Sequence, residues 1–421
     1  MSRRRPRRVL VHAAGELGDC LAGPEIRALE FAKALSAEHE VTLAAQRSHG
    51  GERDGIRVVP STRRRLLREA TRHDAVLSPC MPPFLLALRA LLRRPLMIAD
   101  QYDPHEQELA TLQHGGERTR ALRSRAAIQA LHLRHADIVL CASQPQRAEL
   151  LGAARGLDLR GTDPVVVPFG IPVAPPASVS SPLREHFPQL LDGDTIVLWW
   201  GTPWRWLDAE TPVRAFASIA DSRPDLKLVI TAGKPQNAQA ERQFDVSAEI
   251  RALARELGVL DRTVLFLEEW IPYEQRYDFL READIGLTLH HHADEARLAV
   301  RSRYMDYLSA ALPCVLGRGD ETAEELGGAG FATLLEDPDP EALVAALLEL
   351  ADDPSAMSAA HAAGRARAAE RQWGAVGSRL RRAVTEGFAR QDSLHTPALA
   401  TLAGAGAFYT RRLLDRVAAD G

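Results

Sequence analysis

Short apolar runs alternate along the chain with amphipathic segments of helical period. The run at 9–13 reads as a buried strand. It leads into a turn carrying Gly15, Gly18 and Gly23, and then into a periodic segment at 24–36 that predicts a helix. Further strands are predicted at 41–45, 56–60, 75–80, 96–99 and 138–142, with helices at 84–94 and 121–134. Strands alternating with helices fold as a parallel sheet covered on both faces.

The stretch Val173 to Pro182 is rich in Pro, Ala and Ser and has no period, so it opens a linker assigned to residues 173–192. A second series follows, with strands at 195–200, 226–231, 264–267, 285–289 and 314–316. Helices at 211–221, 247–257, 273–282 and 303–311 separate or follow them, and Asp339-Pro340 opens a helical run that continues to about residue 389. The expected organisation is an α/β N-terminal domain over 1–172, a second over 193–375, and C-terminal helices over 376–421 that pack back on the first. Both domains are Rossmann-like and doubly wound, facing a cleft, which directs the search for function to the loops after the strands.

At 421 residues the chain has room for two such cores, and 46% apolar with 26% charged residues is an ordinary globular balance. A net charge of −4 provides no field to attract nucleic acid, which is not expected as a partner. Arginine outnumbers lysine so far that only Lys33, Lys227 and Lys234 occur, a bias that suggests a GC-rich bacterial genome. Cys20, Cys80, Cys141 and Cys314 are scattered, without disulfide or zinc spacing, and fit a cytoplasmic location. The apolar run after the basic head Met1–Arg8 is too short for a secretory signal. The longest uncharged stretch, Pro164 to Leu183, is broken by prolines and cannot be a spanning helix.

No GxGxxG follows the first strand of either domain, and neither GxxxxGK[ST] nor GxSxG occurs. The informative stretch is Ala283 to Asp320. There a buried strand leads to His290, His291, His292, Asp294 and Glu295, and Arg301 and Arg303 then open a helix carrying Asp306. Arginines at a helix start favour phosphate, and a carboxylate nearby can accept from the two hydroxyls of a ribose. Adjacent histidines in an extended loop point different ways, and Asp192-Gly193-Asp194 and Asp337-Pro338-Asp339 lie away from this loop, so no metal is expected.

Asp306-Tyr307-Leu308-Ser309-Ala310-Ala311-Leu312-Pro313-Cys314 resembles the donor-binding helix, E-A-x-A-x-G-x-P-V, of the retaining glycosyltransferases of the GT-B fold, here as a divergent family 4-like branch. Those enzymes carry a second Glu eight residues earlier, where this chain has Leu298; Glu295, three residues further back, takes its place as a catalytic candidate. The likeness extends to the turn at Gly15–Gly23, the exit at 167–172, the junction Trp199-Trp200-Gly201-Thr202 and the exit at 265–272.

It implies a hexosyltransferase-type enzyme moving a sugar from a nucleotide-diphosphate donor to a hydroxyl acceptor, a glycan, lipid-linked or small metabolite, without a metal. Asp306 would hold the ribose. Arg301, Arg303, Arg205 and Lys234 would meet the diphosphate, with Gly201, Thr202 and His290 lining the donor. Gly15, Gly18 and Asp100 would form the acceptor-side loop, where Asp103 or His105 would orient the hydroxyl or take its proton.

Structural roles are open to the same residues: Asp306 as a carboxylate favoured by the helix dipole, the arginines as surface charges, Asp103 as a helix cap, and Trp199, Trp200, Trp204 and Trp206 as packing. The basic head, with Arg89, Arg93 and Arg94, suggests peripheral contact with an anionic membrane. Two other functions remain open: a catalytically weak nucleotide-sugar-binding or partner-supporting protein, and a nucleotide-sugar epimerase.

Overall fold

The computed structural model describes residues 6–410 except 49, 80, 93–94, 112–114, 160, 176–179, 234–244, 292–293 and 391–400. The chain divides into two compact units, Met1–Phe169 with Trp373–Gly421, and Gly170–Gln372.

The first unit holds strands β1 (Arg8–Glu16), β2 (Glu40–Gln46), β3 (Gly51–Arg53), β4 (Ile56–Pro60), β5 (Ala75–Ser78), β6 (Leu96–Asp100), β7 (Ile138–Cys141) and β8 (Val165–Val166). They form one sheet in the order β3-β4-β2-β1-β5-β6-β7-β8, parallel throughout except for β3, which pairs antiparallel with β4 at the edge. Central strands such as Val9-Leu10-Val11 and Leu96-Met97-Ile98 are buried on both faces, which is why they read as unbroken apolar runs. The winding direction reverses between β1 and β5, so the loops that leave their carboxyl ends frame this unit's switch point.

The last long helix, Trp373–Arg390, belongs to this unit. Trp373 meets Phe31 edge-on at 5.9 Å, and Gly377 lies against Ala34 of the first helix, Gly23–Ser36. A helix over 401–410 also docks here, with Thr401 Oγ1 3.0 Å from His135 Nδ1 and Phe408 packed among Leu10, Leu85, Met97 and Leu131. Arg89 is not a surface cation: it is buried and holds Asp137 with two hydrogen bonds of 3.1 and 3.2 Å. Arg93 and Arg94 lie outside the described residues.

The second unit holds β9 (Thr195–Trp199), β10 (Leu226–Thr231), β11 (Val264–Leu267), β12 (Ile285–Thr288), β13 (Cys314–Gly317) and β14 (Ala332–Leu335), all parallel in the order β11-β10-β9-β12-β13-β14. Part of the expected linker is bound into this unit, since Pro182–His186 is a short helix whose Leu183 and Arg184 amides donate to Glu282 at 2.6 and 3.0 Å. Here the switch point lies between β9 and β12. Their ladder covers only Val197↔Ile285 and Leu198↔Gly286.

Beyond that pairing a single side chain bridges the two strands. The Tyr307 hydroxyl lies 3.1 Å from the Leu198 carbonyl and 2.9 Å from the Leu287 carbonyl, and it accepts the Trp200 amide at 3.1 Å. Its ring covers Gly286, where a Cβ would stand 2.8 Å from the ring. Among the described residues no helix is long and apolar enough to cross a membrane.

Candidate functional site

The loops after β9, β12 and β13, together with the start of the helix Ser302–Ala310, converge at the switch point of the second unit. The β9 loop is tied down on the side of β10. The Gly201 amide donates to Thr231 Oγ1 at 2.6 Å, and Thr202 Oγ1 donates to the Gly233 carbonyl at 2.9 Å. Gly201 has φ +88°, a conformation that favours glycine, and Arg303 lies directly over it.

Arg303 is 9% exposed; its Nη2 donates to the Thr202 carbonyl at 3.1 Å and its guanidinium lies 5.6 Å from the Trp199 ring. Among the described residues no carboxylate pairs with it, and Nη1 is buried without a partner. Burial pushes its pKa down to about 10. Leaving a cation desolvated and unpaired costs on the order of several kcal/mol, a cost that a bound anion would offset.

Arg301, two residues earlier, is neutralised internally. Its Nη2 donates to Glu295 at 2.8 Å and its Nη1 to Asp320 at 3.3 Å, and all three side chains are buried. Asp320 also caps the helix Glu321–Gly328 through the Ala323 amide at 2.8 Å, and burial pushes its pKa up to about 6. Glu295, 3% exposed and bound to Arg301, therefore acts here as a counter-ion.

Asp306 sits one turn along the helix from Arg303 and keeps 16% of its side chain exposed. It accepts the Trp200 indole N–H at 3.0 Å and Arg276 Nε at 3.2 Å. Burial raises its pKa, against the opposing field of Arg276. His290 is buried, with Nε2 3.2 Å from the Gly317 carbonyl and Nδ1 3.3 Å from that of His291. Arg205 is at the surface, paired with exposed Glu249 at 3.3 Å. Lys234 and His292 fall outside the described residues. Trp204 and Trp206 stack on each other at 5.6 Å against the core, and Trp199 is wholly buried. Arg276 and Tyr307 were not anticipated, although both lie on predicted helices; the distant group each one holds, Asp306 for Arg276 and the Trp200 amide for Tyr307, is invisible in a linear pattern.

In the first unit, Asp100 receives Arg27 through two hydrogen bonds, Nε at 2.7 Å and Nη2 at 2.9 Å. Arg27 in turn lies over Phe31 at 4.3 Å and Tyr102 at 4.9 Å, so Asp100 is fixed in the core. Gly15 makes room for the Glu25 carboxylate, which would overlap a Cβ there. Gly18 accepts Arg53 Nη1 at 2.8 Å. The helix His105–Ala110 has Pro104 in the N-cap position, directly after Asp103. Asp103 also lies near Glu25, whose pKa burial, aided by Asp103, raises to about 7. His105 begins that helix, and its side chain falls outside the described set.

Two doubly wound parallel sheets joined in this way make a GT-B fold. Among solved structures the chain is similar to WaaG, a glycosyltransferase involved in lipopolysaccharide biosynthesis, at 15% identity over 90% of this chain and 99% of that one, with a TM-score of 0.65. It is also similar to sucrose-phosphate synthase from Thermosynechococcus elongatus (17% identity, 92% and 100% covered, TM-score 0.67). A third, HepE from Anabaena in complex with UDP and glucose, gives 15% identity, 90% and 100% covered and a TM-score of 0.67. At these identities the likeness is one of fold. No family model matches the sequence, and none of the curated proteins does.

Proposed function

We propose that this protein is a glycosyltransferase that moves a hexosyl group from a nucleoside-diphosphate sugar to an acceptor hydroxyl, with retention of configuration and without a metal. The observation that carries the reading is Arg303, a buried guanidinium with an unpartnered N–H at the carboxyl end of the switch point. Breaking the sugar–oxygen bond sends its electron pair to the departing diphosphate, and a fixed, desolvated cation stabilises that charge more than the ground state. Asp306 is assigned to the ribose, and Asp103 and His105 to orienting the acceptor. The presence of UDP and glucose in HepE is consistent with such a donor.

Release of nucleoside diphosphate from a panel of UDP-, GDP- and dTDP-sugars, with and without hydroxyl acceptors, tests the reading. Acceptor-dependent release supports it, and the anomeric proton coupling of the product reports retention. One observation favours the second reading, a binding protein: Glu295 is held by Arg301 rather than free for catalysis. In that case the donor would bind and remain intact.

Membrane contact is a further part of the proposal. Arg63, Arg64 and Arg68 are exposed on the helix Arg63–Ala70, Arg63 stacks on Phe84 at 5.2 Å, and Leu91 and Leu92 are exposed on the helix Pro83–Leu92. Co-sedimentation with anionic but not zwitterionic vesicles would support it.

A further inference from the structure

Arg276 occupies an unusual position for a charged side chain. It is 4% exposed, held between Tyr273 at 3.6 Å and Tyr277 at 4.3 Å from its guanidinium. Each of its nitrogens is engaged: Nε donates to Asp306, Nη1 to the Tyr273 carbonyl and Nη2 to the Tyr277 hydroxyl at 3.3 Å. The arrangement immobilises the cation against the Asp306 carboxylate.

Asp306 is in turn only half used. Its two oxygens receive one donor each, from Arg276 and the Trp200 indole, while an ionised carboxylate offers about four acceptor positions. The charged groups that face it are Arg276 from the neighbouring helix and Arg303 on its own, with the Tyr277 hydroxyl adjacent. Burial opposes ionisation of Asp306, and Arg276 counters burial most directly.

We infer that Arg276 is a positioning residue for the nucleotide site, holding Asp306 ionised and oriented so that its remaining lone pairs can accept a ribose diol. The inference rests on the proposed assignment of Asp306 to the ribose. Without the guanidinium, burial of Asp306 goes uncountered and its pKa rises further; once protonated it loses an acceptor position and turns an O–H toward the ligand.

The test is the affinity of the wild-type protein, Arg276→Gln and Arg276→Lys for UDP, GDP and ADP between pH 6 and pH 9, by calorimetry. Titration of the diphosphate itself affects all three proteins alike, so the ratio between proteins isolates Asp306. Arg276→Gln should bind roughly tenfold or more weakly than wild type at pH 6 and approach it at pH 9, while Arg276→Lys should stay close to wild type throughout. An affinity ratio that is constant with pH would make Arg276 a merely structural residue and overturn the inference, as would a Gln variant equal to wild type. A wild-type protein that binds none of the three nucleotides would instead overturn the proposed function on which the inference depends.

Discussion

Arg301 and Arg303 stand two positions apart and look alike in sequence, yet the structure gives them opposite roles. Arg301 is neutralised by Glu295 and Asp320, whereas among the described residues Arg303 has a carbonyl partner and no acid. Nothing in the linear spacing separates them, because the decisive neighbours include Asp320 from the loop after β13 and Thr202 from the loop after β9, with Glu295 from the segment after β12. The sequence did place both of them, with Asp306 and His290, at one end of the second sheet. It missed Glu25 because a carboxylate in a helical first turn looks solvated, whereas here it is 8% exposed beside Asp103.

Glu25 has a measurable consequence. Folding raises its pKa from 4.5 to about 7, so the stability it contributes is full below pH 4.5 and is lost as the pH rises through 7. Glu25→Gln should remove this dependence, leaving a melting temperature that falls less than that of wild type between pH 5 and pH 8. Parallel melting curves for the two proteins across that range would rule out the assignment.

At the scale of elements, the helix Ser302–Ala310 carries much of the second unit's architecture. It ends at Ala311 with φ 52°, the position where the helix pattern it resembles has glycine, and Pro313 prevents its continuation. Tyr307 on this helix replaces the missing β9–β12 ladder with one hydroxyl. Tyr307→Phe should therefore destabilise the fold by about 1–3 kcal/mol, because the Trp200 amide loses its acceptor and the Leu198 and Leu287 carbonyls lose the one O–H they share. Chemical denaturation measures this, and an unchanged midpoint would show that water or backbone movement satisfies those groups.

The strands and helices with long apolar or periodic stretches were legible, among them 226–231 and 264–267. The edge strand β3, the arginine-rich helix Arg63–Ala70 and the final strand β14 were not. Each is short, polar or half-exposed, and each owes its conformation to the neighbour it pairs with or packs on.

Across the whole molecule the same winding occurs twice. Leaving aside the edge strands β3 and β8, each sheet begins in the middle, winds outward to one edge, returns and winds to the other. The alternation of apolar runs was enough to show this repetition. The course of the chain back to the first unit at Trp373 was less legible, since it depends on Trp373 meeting Phe31 and Phe169. The two switch points differ in charge. The first gathers Glu25 and Asp103 with an Arg27 already committed to Asp100, and the second presents the unpaired Arg303.

The proposed function puts the anionic donor at the second unit, in keeping with this asymmetry, and calorimetric titration of wild type and Arg303→Gln with UDP, GDP and ADP tests it most directly. The account predicts that at least one nucleoside diphosphate binds the wild-type protein and binds Arg303→Gln roughly tenfold or more weakly, as loss of a charge-assisted hydrogen bond requires. Equal affinity in the two proteins, or no binding to wild type, would contradict it.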